Sequence, residues 1–147
     1  MDCEEMFVTY VDTKELQQFE RLYHEKLQRG HMDQDVQYEY GRCLVLSRFP
    51  ADIIKGIVLM EQLLQLDYRA TECCYLTAIG HTKMGNYTTA VQFTKIMLAR
   101  DPKNSKGKHL HDIVQQKALR EYMFQILVVG GVVVMMTVLV TMALARR

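Results

Sequence analysis

The sequence predicts an all-α protein: a six-helix bundle containing two tandem helix pairs, followed by one C-terminal transmembrane helix. Three observations lead there. Residues 123–145 carry no charge, and Gln125, Thr137 and Thr141 are their only polar side chains. Ahead of them, apolar residues recur at steps of three and four, and no stretch alternates well enough to form a strand. Within that helical part, a block of sequence returns at an offset of 34 residues.

The apolar run is long enough to cross a bilayer. At about 1.5 Å per residue it spans about 34 Å, against a hydrocarbon layer about 30 Å thick. Its valines and the Gly130-Gly131 pair would weaken a helix in water, but lipid leaves a single segment no other way to satisfy its backbone polar groups. A buried core helix is the competing reading. It is disfavoured because a small soluble domain seldom hides more than about 18 uninterrupted apolar residues. A secretory signal is excluded by position, and residues 1–11 lack a basic start and are interrupted by Asp2, Glu4 and Glu5. The expectation is a tail-anchored chain with its N-terminal domain in the cytosol. Arg146 and Arg147 follow the span as a short targeting tail. Charge does not orient the span, because Lys117 and Arg120 flank one side as those arginines flank the other. The expected domains are an arm (1–11), a helical domain (12–121), the anchor (122–145) and a basic tail (146–147).

The totals narrow the function. The 147 residues are 49% hydrophobic with a formal charge of +1, so removing the tail leaves one ordinary domain with no basic footprint for nucleic acid. Cys3, Cys43, Cys73 and Cys74 have no C-x-x-C spacing and read as free thiols in a reducing compartment. His109 and His111, two apart on a predicted helix, point in different directions and read as surface residues, so no metal is expected. No glycine-rich phosphate loop, zinc spacing or nucleophile with a base stands out, so neither an enzyme nor a cofactor is expected.

The elements follow in order. Phe7, Tyr10 and Val11 give the arm an apolar stripe. Asp12 with Glu15 resembles a capping box opening helix one, over residues 13–29, in which Leu16, Phe19, Leu22, Tyr23 and Leu27 line one face up to Gly30. Asp33 or Asp35 opens a second helix through Tyr38, Gly41, Val45 and Leu46, ended by Phe49-Pro50. Further helices are predicted over 51–66, 70–84, 88–100 and 105–120.

Residues 55–67 match residues 89–101 at the 34-residue offset, which is the tetratricopeptide period. In the second copy Gly85-Asn86-Tyr87, Ala90 and Asp101-Pro102 fall where that repeat places its turn glycine, packing aromatic, small contact residue and terminal proline. Small residues at Gly56 and Ala90 let paired helices approach closely. Gly41 aligns with Ala78 at 37, so the first inter-helix turn carries about three extra residues around 47–50. Two repeats cannot bury their faces alone, so helices one and six serve as caps, and helices two and four present a concave surface. Repeat position places Tyr38, Arg42, Val45, Tyr75, Ile79, Thr82 and Lys83 on that partner-binding groove, with packing or plain surface as the competing reading for each.

The chain resembles the mitochondrial fission 1 protein family. The residues that carry the likeness are Gln37-Tyr38-Glu39-Tyr40, Cys43-Leu44-Val45, Asp52-Ile53, Lys55-Gly56-Ile57-Val58-Leu59, Tyr87 with Ala90, and Pro102 with Asn104. Coverage is nearly the whole chain. The resemblance implies residence in the mitochondrial outer membrane and also peroxisomes, with recruitment of dynamin-related fission GTPases or their adaptors. It further implies that the arm folds over the groove, which makes Phe7, Tyr10 and Val11 candidate plug residues. Departures from the pattern are residues 1–6, Thr77 and His81. A tetratricopeptide receptor for chaperone or other peptide ligands is the alternative, although its carboxylate-holding lysine and asparagine positions are Tyr38, Arg42, Tyr75 and Ile79 here. An all-helical apoptosis regulator would carry a tryptophan, and this chain has none. Weak self-association is a further expectation. For the small-residue row Thr137, Thr141 and Ala145, helix packing and plain lipid exposure are the two readings, the second favoured.

Overall fold

A computed structural model describes residues 10–30 and 33–145, which form six helices and no strand. The chain divides into two units, Met1–Gln115 and Gln116–Arg147. In the first, α1 is Thr13–Gln28, α2 Gln34–Val45, α3 Pro50–Gln65, α4 Ala70–Lys83 and α5 Tyr87–Arg100, while α6, Ser105–Ala145, begins there and ends in the second.

Local signals explain most boundaries. Asp12 caps α1 by accepting from Lys14 N at 3.3 Å, but Glu15 does not complete a capping box, because its carboxylate is drawn to Arg42 at 2.6 Å. Asp33, rather than Asp35, caps α2, accepting from Asp35 N and Val36 N. α2 ends at Val45, earlier than predicted, and Pro50 is the first residue of α3, where its missing N–H costs nothing. The residues between form a folded turn in which Ser47 Oγ accepts from Phe49 N at 3.2 Å and donates to Asp52 Oδ2 at 2.7 Å. Gly85, at φ 77°, makes the tight α4–α5 turn. The α3–α4 turn holds Asp67 and Arg69 in the left-handed region, at φ 53° and 42°, and each is tied by an ion pair, to Arg100 at 2.6 Å and to Asp35 at 3.2 Å.

Packing centres on α2 to α5. Tyr38, Val45, Met60, Leu63, Leu76 and Ile79 form the main cluster, which Leu110 and Val114 of α6 complete. Gly56 is required by close approach: a Cβ there would stand 2.7 Å from Val45 N and 2.9 Å from Gly41 O, so α2 and α3 touch through their backbones. A buried polar side chain, Gln37, is satisfied by Leu59 O at 3.2 Å and Gln62 at 3.1 Å. α1 has no fully buried residue and attaches through Leu16, Phe19 and Tyr23 to a separate cluster of Tyr40, Leu44 and Leu59.

Two helices were predicted over 105–120 and 122–145, and one is found. Nothing between Arg120 and Met123 breaks a helix, since no proline or glycine lies there. In the second unit Phe124, Leu127, Val129, Met135 and Met136 are all exposed. By length and composition α6 is apolar enough over Ser105–Thr137 to cross a membrane, and its apolar window is unburied.

Candidate functional site

Where the groove is predicted, α2 and α4 meet in a seam, and most of the expected lining is buried inside it. Val45 and Ile79 are fully buried. Thr82 is also buried and returns its hydroxyl to Ala78 O at 2.7 Å. The reason is geometric. With only two repeats, the inner faces of α2 and α4 meet side by side, and Gly80 lets Ile57 and Val45 close on α4. These three residues act as packing, and the accessible surface lies around them.

That surface is mixed aromatic and cationic. Tyr38 is buried, and the Arg69 guanidinium sits 4.8 Å above its ring. Burial, with help from Glu72, raises the Tyr38 phenol above its ordinary pKa. Tyr75 is half-buried against the main cluster. Arg42 is committed to α1: it donates to Glu15 at 2.6 Å and to Glu39 at 2.8 Å, and these carboxylates outweigh burial to hold it charged.

Lys83 is a clasp between repeats. Its Nζ donates to Ser47 O at 2.7 Å and Val45 O at 3.2 Å, carbonyls at the C-terminal end of α2 that no helical N–H can reach. Burial lowers its pKa, and the ammonium also stands 5.3 Å from the Tyr10 ring.

The described end of the arm lies at this clasp. Val11 donates its N–H to Leu46 O at 3.4 Å and packs its side chain on the main cluster, while Tyr10 stays exposed. Of the other predicted residues, Phe7, Arg146 and Arg147 lie outside the described residues. A cavity of about 270 Å³ opens between the arm and the first inter-helix turn, lined by Tyr10, Val11, Leu16, Cys43, Ser47 and Phe49. Phe49 is exposed there with the Arg48 guanidinium 4.9 Å from its ring. Sequence reasoning noted the extra residues of this turn but assigned them no role, and it missed Arg69 altogether. The length of the turn was the signal for the first. For Arg69 there was none, because its contact with Tyr38 spans two helices.

Among the described residues the thiols offer no reactive centre. Cys43, Cys73 and Cys74 are buried and free, and burial pushes Cys43 up to about 11 and Cys73 to about 12. His111, half of the predicted surface pair, bonds Thr94 Oγ1 through Nδ1 at 2.7 Å.

Comparison with known proteins follows the same layout. The family model for the Fis1 N-terminal tetratricopeptide repeat matches residues 35–65, and that for the Fis1 C-terminal tetratricopeptide repeat matches residues 71–123. The chain is 30% identical over 124 residues to the mitochondrial fission 1 protein of Mycosarcoma maydis, covering 84% of this chain and 82% of that one. It is 28% identical over 123 residues to the protein of the same name from Mus musculus, covering 82% and 81%. Among solved structures, Fis1 from Saccharomyces cerevisiae matches with a TM-score of 0.75 at 17% identity, over 85% of this chain and 96% of that one. Yeast Fis1 in complex with an Mdv1 fragment matches with a TM-score of 0.72 at 18% identity, over 78% and 90%. These structural likenesses carry the fold.

Proposed function

This chain belongs to the mitochondrial fission 1 protein family, and from that premise we propose that it is a tail-anchored adaptor of the mitochondrial outer membrane. Its helical domain faces the cytosol and recruits a dynamin-related fission GTPase, or an adaptor of that GTPase, to mitochondria and peroxisomes. The observation that carries this reading is the joining of a two-repeat platform to an unburied apolar helix in one chain. A yeast structural neighbour of that platform was crystallised with an Mdv1 fragment.

The mechanism follows from size. Two repeats offer an interface below about 1,200 Å², so a single contact is weak and reversible. Anchoring many copies in one membrane raises their effective concentration, and a self-assembling partner then engages several at once. Tyr75 and Lys83 supply the contact, and the arm competes for it through Tyr10 and Val11.

The test is co-purification of the full-length chain from detergent-solubilised mitochondria. The fission GTPase or its adaptor is expected with the wild type and should fall several-fold with Tyr75→Ala. Unchanged recovery with that variant would move the contact off the groove. Carbonate extraction of the same membranes should leave the chain in the pellet, and release into the supernatant would overturn the anchor.

A further inference from the structure

The two residues of α4 that depart from the usual repeat pattern, Thr77 and His81, stand one helical turn apart, and both point inward. Thr77 is fully buried, and the His81 side chain is 15% exposed. Thr77 Oγ1, His81 Nδ1 and His81 Nε2 all lack a hydrogen-bond partner among the described residues. Three orphan polar atoms on one face of a helix are unusual, because an unpaired buried group forfeits its hydration without return.

The surroundings define what this pair can do. From α5 the Phe93 ring stacks on the imidazole, with centroids 5.5 Å apart and planes at 15°. From α3 Glu61 brings Oε1 to 4.0 Å from Nε2, with its own side chain 43% exposed. No other charge acts on the ring among the described residues. On α5 Arg100 is held by Asp67, on α2 Arg42 is held by Glu15 and Glu39, and on α6 His111 is bonded to Thr94. Hydroxyl, imidazole and carboxylate could suggest a nucleophile with its base, but the sealed hydroxyl of Thr77 admits no substrate.

A neutral imidazole suits this seam, stacked flat on an aromatic ring. A protonated one does not, because its charge would sit in a half-dry joint with one carboxylate at the limit of ion-pair reach. We propose that the Glu61–His81–Phe93 seam is a pH-sensitive joint, in which protonation of His81 loosens the packing of α4 against α3 and α5. Burial, partly opposed by Glu61, holds the ring below its ordinary value of 6.5. The stability it contributes is therefore fully present above about pH 6.5 and is lost as pH falls through the folded-state value. The same helix carries Lys83 two residues on, so a loosened α4 also releases the clasp on Val45 O and Ser47 O.

The test uses the full-length chain in detergent micelles, with histidine side chains isotope-labelled for NMR. The chain has five histidines, and loss of one signal in His81→Phe assigns the ring. Its titration midpoint is expected below 6.5. Urea unfolding at pH 7.5 and 5.5 should show the wild-type folding constant falling by up to about tenfold, with His81→Phe removing most of that fall. Glu61→Gln removes the one group among the described residues that favours the proton, so it should move the ring midpoint lower still. A wild-type midpoint at or above 6.5, an undiminished fall in His81→Phe, or a midpoint unmoved by Glu61→Gln would each overturn the proposal. Should His81→Phe fail to fold, the Glu61→Gln spectrum identifies the shifting ring and the two midpoints decide.

Discussion

Replacing Gly56 with alanine tests how closely α2 and α3 are packed. The added Cβ would lie 2.7 Å from Val45 N, 2.9 Å from Gly41 O and 2.9 Å from Leu44 Cβ. Two of these are backbone atoms in the facing helix, so no rotamer change relieves them and the helices must separate. Overpacking of this kind costs about 1–3 kcal/mol, and contact with two backbone atoms of the facing helix places Gly56→Ala near the top of that range. Alanine returns about 1 kcal/mol as the better helix former, leaving a net loss of about 2 kcal/mol. Gly41→Ala is the internal control. Its Cβ would run into the terminal methyl of Met60, which can swing away, and would meet Leu59 Cβ at 3.3 Å. There the helix-propensity gain of about 1 kcal/mol offsets most of the contact cost. Urea unfolding of the full-length chain in micelles, followed by far-UV circular dichroism, should put the Gly56→Ala midpoint about 1 M below wild type. Gly41→Ala should stay within about half that shift. Equal midpoints for the two variants, or a Gly56→Ala protein as stable as wild type, would refute the backbone contact.

Arg42→Met removes the ion pairs to Glu15 and Glu39, which are partly solvated, and should cost only about 0.5–1 kcal/mol. Hydrogen exchange should nonetheless speed up across α1, which has no fully buried residue, while α4 amides keep their protection; equal protection in both proteins would show that the satellite cluster alone holds α1. Deleting residues 1–11 should tighten partner binding several-fold, because Val11 and Tyr10 no longer occupy the Lys83 end of the seam, and unchanged or weaker affinity would remove the arm from the mechanism. Cys43, Cys73 and Cys74 should react with a thiol reagent at pH 8 at least ten times slower in the native chain than in urea, since burial disfavours their thiolates; fast native labelling would contradict that burial.

Much of the helical layout was legible beforehand because its signals are local. Apolar steps of three and four located α1 to α5, Gly30 and Gly85 marked two ends, and the 34-residue offset paired the helices. Errors fell where a side chain had two possible partners. Glu15 is spaced to cap its own helix, yet Arg42 offers a charge-assisted bond that a backbone N–H cannot match. Ser47 and Asp52 bind each other and end α2 at Val45, well short of Pro50. Repeat position put Val45, Ile79 and Thr82 on the inward faces of their helices, but it could not show that these faces close on a neighbour.

The chain by itself determined its helices, its repeat and its apolar end, because each depends on residues within a few positions of one another or on the length of a run. Tertiary structure decided which of the inward-facing residues remain within reach of another molecule. Lys83 becomes a clasp through carbonyls 36 and 38 residues away, Tyr38 is covered by an arginine from another turn, and His81 acquires its stacking partner from the next helix. Exposure and protonation are set by what lies across the seam, and that neighbour is encoded far away in the sequence.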